Sequence, residues 1–305
     1  MANIQFQLAS GRHVGITAHG QPDGDKLVIF CHPAPGASTF DPDPRATGYR
    51  TVHLIGLDRA GYGASDPLGS GKWPSVAGYA ADIGEYLRTA GNVARDLGIH
   101  EFDSVGVVGW SAGGRVALAL AAAHPTLIDR VVVVGTPAPN DEVPWVPQDT
   151  LDAMTKVAQG GPDRAIEGMA ELLEGRMGAV IPSDGSEVDI AALLGLGPAD
   201  EALLELPGVR DRLTEMLHEA FRQGTRGLAA DMVSFNLRDW DFDPAAVRAR
   251  TLLLYGANDP ILGREHGDWY AGRIPDSRVE IVPDAGQLAI VPAWDHVLKF
   301  LSGEE

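Results

Sequence analysis

Residues 104–123 read SVGVVGWSAGGRVALALAAA, and this stretch predicts a buried strand, a sharp turn and a helix. The β-branched run before Trp110 is typical of a strand that is buried on both faces. Between strand and helix, Gly109-Trp110-Ser111-Ala112-Gly113 matches G-x-S-x-G, a turn that lifts a serine hydroxyl clear of the backbone. The flanking glycines remove side chains that would clash in so tight a turn. We therefore predict Ser111 to be a nucleophile.

The composition limits the classes of function. The chain has 305 residues, 45% of them hydrophobic, which fits one large domain or one domain with an inserted lid. We find no apolar run of about 20 residues and no signal peptide, so we expect no membrane span. A formal charge of −18 argues against nucleic acid and anionic membranes as partners. The single cysteine, Cys31, excludes an internal disulfide and predicts a reducing, cytoplasmic location.

The pattern along the chain predicts an α/β fold. Short apolar runs alternate with longer helical patterns, which is typical of a mostly parallel sheet covered on both faces; we expect about eight strands. Residues 138–241 lack a strong strand signal and contain helical segments separated by Gly and Pro. We interpret them as a helical cap inserted between the sixth and seventh strands. The predicted core therefore comprises residues 1–137 and 242–305.

Two more segments point to a known family. Residues 58–67, DRAGYGASDP, resemble a D-x-x-G-x-G-x-S-D-x loop, and residues 32–36, HPAPG, resemble an H-G-x-P-G loop. With the turn at Ser111, they make the chain resemble the α/β-hydrolase superfamily, in particular helical-cap members related to esterases, haloalkane dehalogenases and epoxide hydrolases. Serine in place of a carboxylate nucleophile argues against the last two chemistries.

The resemblance implies roles for the residues around Ser111. In such proteins the amides that stabilise an oxyanion come from the loop after the third strand and from the residue after the nucleophile, here Ala34 and Ala112. We predict Trp110, His32 and Pro33 to contact the substrate. For Trp110, packing beside the turn is the alternative interpretation.

The resemblance also implies an acid and a base. Asp259, in Gly256-Ala257-Asn258-Asp259-Pro260, matches the acid of the catalytic triad, which orients the base. The family's histidine usually follows the last strand in an A-G-H pattern, but this chain has Ala285-Gly286-Gln287. A glutamine can hydrogen-bond to both Asp259 and Ser111 but cannot hold a proton near neutral pH. Since serine needs a base to become a good nucleophile, we expect weak or absent hydrolysis.

The sequence leaves three explanations of Gln287 open. It is an engineered substitution that stalls the enzyme, a natural departure toward binding or non-hydrolytic chemistry, or a loss rescued by another histidine. The candidates for rescue are His32, His218, His266 and His296.

The predicted function is hydrolysis of a small ester or lactone with an apolar group, an amide being less favoured, through an acyl-enzyme on Ser111. No motif suggests a metal or cofactor, and we expect none. The alternative is a fold relative that has lost its triad and serves for ligand binding or for cyclase, lyase or isomerase chemistry.

We expect Arg115 to form a structural ion pair. Apolar cap residues are candidates to line the cavity: Met154, Met169, Leu172, Leu173, Met177, Met232 and Phe235.

Overall fold

The computed structural model describes residues 4–96, 104–181 and 188–304. Within this part of the chain, eight strands form one sheet. They are β1 (Ile4–Gln7), β2 (His13–Gly20), β3 (Lys26–Cys31), β4 (Val52–Leu57), β5 (Val105–Trp110), β6 (Ile128–Val134), β7 (Arg250–Gly256) and β8 (Ser277–Val282).

The order across the sheet is β1-β2-β4-β3-β5-β6-β7-β8. Strand β2 runs antiparallel to β1 and β4, and every other neighbouring pair is parallel. The predicted mostly parallel, eight-stranded sheet is therefore confirmed.

Helices flank the sheet and fill the segment between β6 and β7. They are α1 (Pro44–Tyr49), α2 (Val76–Asp96), α3 (Ala112–Ala123), α4 (Gln148–Val157), α5 (Pro162–Met177), α6 (Ile190–Leu194), α7 (Glu201–Leu204), α8 (Val209–Ala220), α9 (Arg226–Asn236), α10 (Arg264–Ala271) and α11 (Trp294–Ser302). Among the described residues, the segment from α4 to α9 contains helices and no strand. The division at 137/138 and 241/242 into core and cap stays a prediction. None of the described helices has the length and apolar character needed to cross a bilayer.

The central strands are buried because helices cover both faces of the sheet. Every residue of β5 is buried, and so are nearly all residues of α3 beneath it. Strands β3, β5, β6, β7 and β8 are parallel neighbours, so their carboxyl ends meet at one edge. In open α/β sheets this edge is where ligands bind. The predicted site residues follow β3, β5, β7 and β8 at this edge.

Candidate active site

The turn between β5 and α3 holds Ser111 in a strained conformation. Its φ is +52° and its ψ is −123°, a region that non-glycine residues rarely adopt. The Ser111 amide donates to Val134 O (2.8 Å), and its carbonyl accepts from the Thr136 hydroxyl (2.7 Å). A side chain at Gly113 would collide with the backbone of Cys31 and His32, so only glycine allows α3 to approach β3 this closely.

The loop after β3 is fixed by a buried arginine. Arg59 donates from Nη1 to His32 O (2.6 Å) and from Nη2 to Pro33 O (2.8 Å). The same guanidinium contacts both carboxylate oxygens of Asp231, on α9 of the predicted cap. Among the described residues the Ala34 amide has no backbone acceptor. The Ala112 amide opens α3, where the first N–H groups have no partner within the helix.

Asp259 lies in the turn after β7, and only one of its two carboxylate oxygens is hydrogen-bonded within the described part of the chain. Oδ1 accepts from the amides of Ile261 and Leu262, both at 2.8 Å. Oδ2 is buried and has no hydrogen-bond partner among the described residues. Burial raises the pKa of Asp259, although the two backbone bonds act in the opposite direction. An N–H donor aimed at Oδ2 would complete this carboxylate.

Gln287 lies in the loop after β8, and hydrogen bonds of its own backbone fix its position. The Gln287 amide donates to Asp200 Oδ2 (3.1 Å), and its carbonyl accepts from Trp110 Nε1 (3.0 Å). Asp200 Oδ1 also accepts from the amides of Gly286 and Leu288, each at 3.0 Å. The position is therefore held by the segment between β6 and β7 on one side and by the end of β5 on the other.

These residues share one cavity of about 270 Å³. Ser111, Ala112, Ala34, Asp259 and Gln287 all line it. Its remaining lining residues are mostly apolar and come largely from the segment between β6 and β7: Arg115, Pro137, Trp145, Ala192, Leu193, Leu194, Gly195, Met232, Phe235, Asn236, Ile261 and Leu262. A serine, an aspartate and the two residues predicted to stabilise an oxyanion thus line one small, largely apolar space.

Comparison with known proteins identifies the family. Residues 26–179, about half of the chain, match the family model described as alpha/beta hydrolase fold. The chain is a member of the α/β-hydrolase fold family. It is 27% identical over 251 residues to a pimeloyl-[acyl-carrier protein] methyl ester esterase of Chromobacterium violaceum, covering 82% of this chain and 80% of that protein.

Solved structures show the same fold over nearly the whole chain. A hydrolase from Pseudomonas aeruginosa superposes with a TM-score of 0.67 at 20% identity, covering 99% of this chain and 98% of that chain. The esterase EaEST from Exiguobacterium antarcticum superposes with a TM-score of 0.65 at 17% identity, covering 99% of both chains. Several of the family members that resemble this chain are thus named as hydrolases and esterases, which supports the prediction of a hydrolase.

Three residues predicted to contact the substrate do not line the cavity of this α/β-hydrolase. Trp110 is fully buried and packs against Phe40, because the last side chain of β5 points to the opposite face of the sheet from the turn. His32 is also fully buried; its Nε2 accepts the Arg59 amide, and burial lowers its pKa so that the ring is neutral. Pro33 is buried and contributes its carbonyl to Arg59. Trp110 therefore bonds to the backbone of Gln287, and His32 and Pro33 bond to Arg59, without lining the cavity themselves.

None of the histidines considered for rescue lines the cavity. His266 is buried, and its Nδ1 accepts from the Ala138 amide. His296 bonds to Glu280 near the surface, and His218 belongs to α8. The rescue hypothesis therefore has no geometric support among the described residues.

The sequence carries no signal for two residues that hold the site although they lie far from it along the chain. Asp200 anchors the Gln287 loop, and Asp231 anchors Arg59, but an isolated aspartate in a helical segment carries no local signal of either role. The expected ion pair of Arg115 is wrong: the guanidinium contacts backbone carbonyls and aromatic rings instead. Of the apolar cap residues proposed, Met232 and Phe235 line the cavity.

Proposed function

We propose that this protein has the arrangement of catalytic residues of a serine esterase, which we call the esterase frame. Its substrates would be small esters or lactones with an apolar group, and Gln287 disables the frame because it replaces the base. The observation that carries the proposal is the shared cavity of Ser111, Asp259 and position 287, with the amides of Ala34 and Ala112. The vacant hydrogen-bonding capacity of Asp259 Oδ2 supports it further, because a triad carboxylate accepts an imidazole N–H.

Each residue would have a defined role in the frame. Ser111 would attack the substrate carbonyl, and the Ala34 and Ala112 amides would stabilise the negative charge that develops on its oxygen. Asp259 would orient a base at position 287 and stabilise its cation. With glutamine there, the serine proton has no acceptor, so the acyl-enzyme forms slowly.

An ester is the favoured substrate class. The curated relative is named as an esterase of a methyl ester, and the cavity walls offer leucine, isoleucine and methionine side chains to an apolar group. The cavity lies near the lower end of the usual range for ligand pockets, which favours a short acyl or alcohol group.

Restoring the base tests the proposal. We expect Gln287→His to raise kcat/KM for p-nitrophenyl acetate by on the order of 10³. The same change should make Ser111 reactive toward a fluorophosphonate probe. Both gains should vanish in the double variant Gln287→His/Ser111→Ala, which is the matched control.

A folded Gln287→His variant that neither hydrolyses the ester nor reacts with the probe would refute the proposal. Reversible binding of small molecules by the unaltered chain, without any gain on restoring histidine, would then favour the binding or non-hydrolytic alternative.

A further inference from the structure

Arg115 is a buried cation that has no anionic partner within the described part of the chain. It is 1% exposed, yet it lines the same cavity as Ser111, one helical turn further along α3. Its Nε and Nη2 donate to Pro137 O at 3.1 and 3.0 Å, and its Nη1 donates to Phe235 O at 2.9 Å. The guanidinium lies 4.4 Å from the centre of the Trp240 ring. Every one of these contacts is with a neutral group.

No carboxylate among the described residues neutralises Arg115. The ionisable groups that influence its pKa are Tyr270 and Tyr255, which are neutral near pH 7, and burial lowers that pKa. Asp259 lines the same cavity, but among the described residues its Oδ1 accepts backbone amides and its Oδ2 has no hydrogen-bond partner, so the carboxylate does not pair with the guanidinium. A buried charge without a counter-charge is costly, and such an arrangement favours a site that receives its counter-charge from a ligand.

The indole N–H of Trp145 is a second hydrogen-bond donor close to Arg115. Trp145 lines the cavity, and its indole N–H is buried with no acceptor among the described residues. The Arg115 guanidinium lies 5.9 Å from the centre of the Trp145 ring. Asn236, another lining residue, leaves its Oδ1 without a donor, which suits a ligand that also carries a hydroxyl. An unmade hydrogen bond at a buried donor costs free energy that an oxygen of a ligand would recover.

We propose that Arg115 and the indole N–H of Trp145 form an anion subsite, and that the preferred ligand is a short ester bearing a carboxylate. The inference rests on the proposed function and narrows its substrate class. The ester carbonyl lies at Ser111, and the carboxylate lies toward Arg115, where it accepts from the guanidinium and from the indole. A half-ester of a short dicarboxylic acid has this chemistry and suits a cavity of about 270 Å³.

Equilibrium binding to the chain with Gln287 tests the subsite without requiring turnover. The probes are monomethyl glutarate and its isosteric carboxamide, methyl 5-amino-5-oxopentanoate, titrated at neutral pH with ligand-observed NMR. We expect the acid to bind about tenfold more tightly than the carboxamide, because hydrogen bonds to charged groups are the stronger ones. Arg115→Gln should bring the ratio of the two Kd values close to one.

Trp145→Phe keeps an aromatic side chain but removes the indole N–H together with the five-membered ring that carries it, so it should reduce the preference even if Arg115→Gln fails to fold. Trp269→Phe is the matched control, because Trp269 also has a buried, unpartnered indole N–H but does not line the cavity. Equal affinities for acid and carboxamide, or equal effects of the two tryptophan changes, would overturn the inference.

The two proposals can fail separately. If Gln287→His hydrolyses neutral esters and the acid shows no advantage, the anion subsite is wrong and the esterase frame stands. If the unaltered chain prefers the acid and Gln287→His stays inert, the subsite stands and the esterase frame is wrong.

Discussion

A single carboxylate oxygen, Oδ2 of Asp259, is buried without a hydrogen-bond partner among the described residues. Functional sites often keep such groups at a cost in stability, because the missing partner belongs to the chemistry. In the proposed site that partner would come from position 287, and among the described residues Gln287 does not donate to Oδ2. The cost should therefore be measurable in the folded protein.

Asp259→Asn should raise the free energy of unfolding by about 1 kcal/mol at pH 7, since it removes an uncompensated buried charge and keeps Oδ1 for the two amides. Burial raises the folded-state pKa of Asp259 above its unfolded value of about 3.9. The stability due to this group is thus full below the unfolded pKa and is lost as pH rises through the folded pKa. The advantage of Asp259→Asn should shrink as the pH is lowered from 7 toward 4, as measured by urea denaturation.

Asp239→Asn provides the control for that experiment, because it changes the net charge equally at an exposed position. A gain of the same size in both variants would mean that relief of the overall negative charge, and not the environment of Asp259, explains the effect.

At the residue level, motifs predicted Ser111, Asp259 and Gln287 to lie near one another because each follows a strand at a fixed offset, and all three line one cavity. Their neighbours were harder to interpret. Trp110 adjoins Ser111 in sequence, but its ring points to the other face of the sheet and packs on Phe40. Proximity along the chain therefore predicted a contact that the pleat of the strand prevents.

At the element level, the loop after β8 depends on Asp200, which closes a 3₁₀ turn at Pro198–Asp200. Its carboxylate accepts four backbone amides, those of Gly197, Gly286, Gln287 and Leu288. A segment that is far away in sequence thus sets the position of residue 287.

Asp200→Asn should lower the free energy of unfolding by about 2 kcal/mol, because an amide nitrogen cannot accept two of these four bonds. In the Gln287→His background it should also lower kcat for p-nitrophenyl acetate, since the loop that carries the base is less well held. Chemical denaturation and steady-state kinetics measure the two effects. Asp211→Asn, on the exposed side of α8, should change neither.

The elements themselves were predicted unevenly. Within residues 138–241, the sequence pattern predicts a helix over 162–177, and it matches α5 (Pro162–Met177), where Pro162 starts a clear helical period. The helical pattern from Asp200 to Phe235 predicts one break, near Pro207, and the structure has that break between α7 and α8, where Gly208 has a positive φ. A second break, between α8 and α9 with Gly224 at positive φ, was not predicted. Helix α1 (Pro44–Tyr49) was missed, since six residues are too few to show a period.

At the level of the whole molecule, the sequence predicted the sheet well because its buried strands are continuous apolar runs. It could not predict how the segment between β6 and β7 contacts the sheet. That contact includes a buried ion pair: Arg59 and Asp231 are both nearly inaccessible to solvent, and Tyr62 adds a hydrogen bond to Asp231 at 2.9 Å. Charged residues read in isolation predict solvent exposure, so only their meeting in the fold shows this role.

The ion pair of Arg59 and Asp231 also connects helix α9 to the loop that carries Ala34. We therefore expect its loss to affect both stability and catalysis. Breaking it from one side with Asp231→Asn or Arg59→Met should cost about 3–5 kcal/mol, because each change leaves a buried polar or charged group uncompensated. The double variant should cost much less than the sum of the two single changes, giving a coupling of at least about 1 kcal/mol in a double-mutant cycle by urea denaturation.

In the Gln287→His background, the milder Arg59→Lys should reduce kcat more than it changes KM, since it loosens the carbonyls of His32 and Pro33 that hold the Ala34 amide. Additive single effects, together with an unchanged kcat, would mean that the pair neither couples the two segments nor positions the loop that carries Ala34.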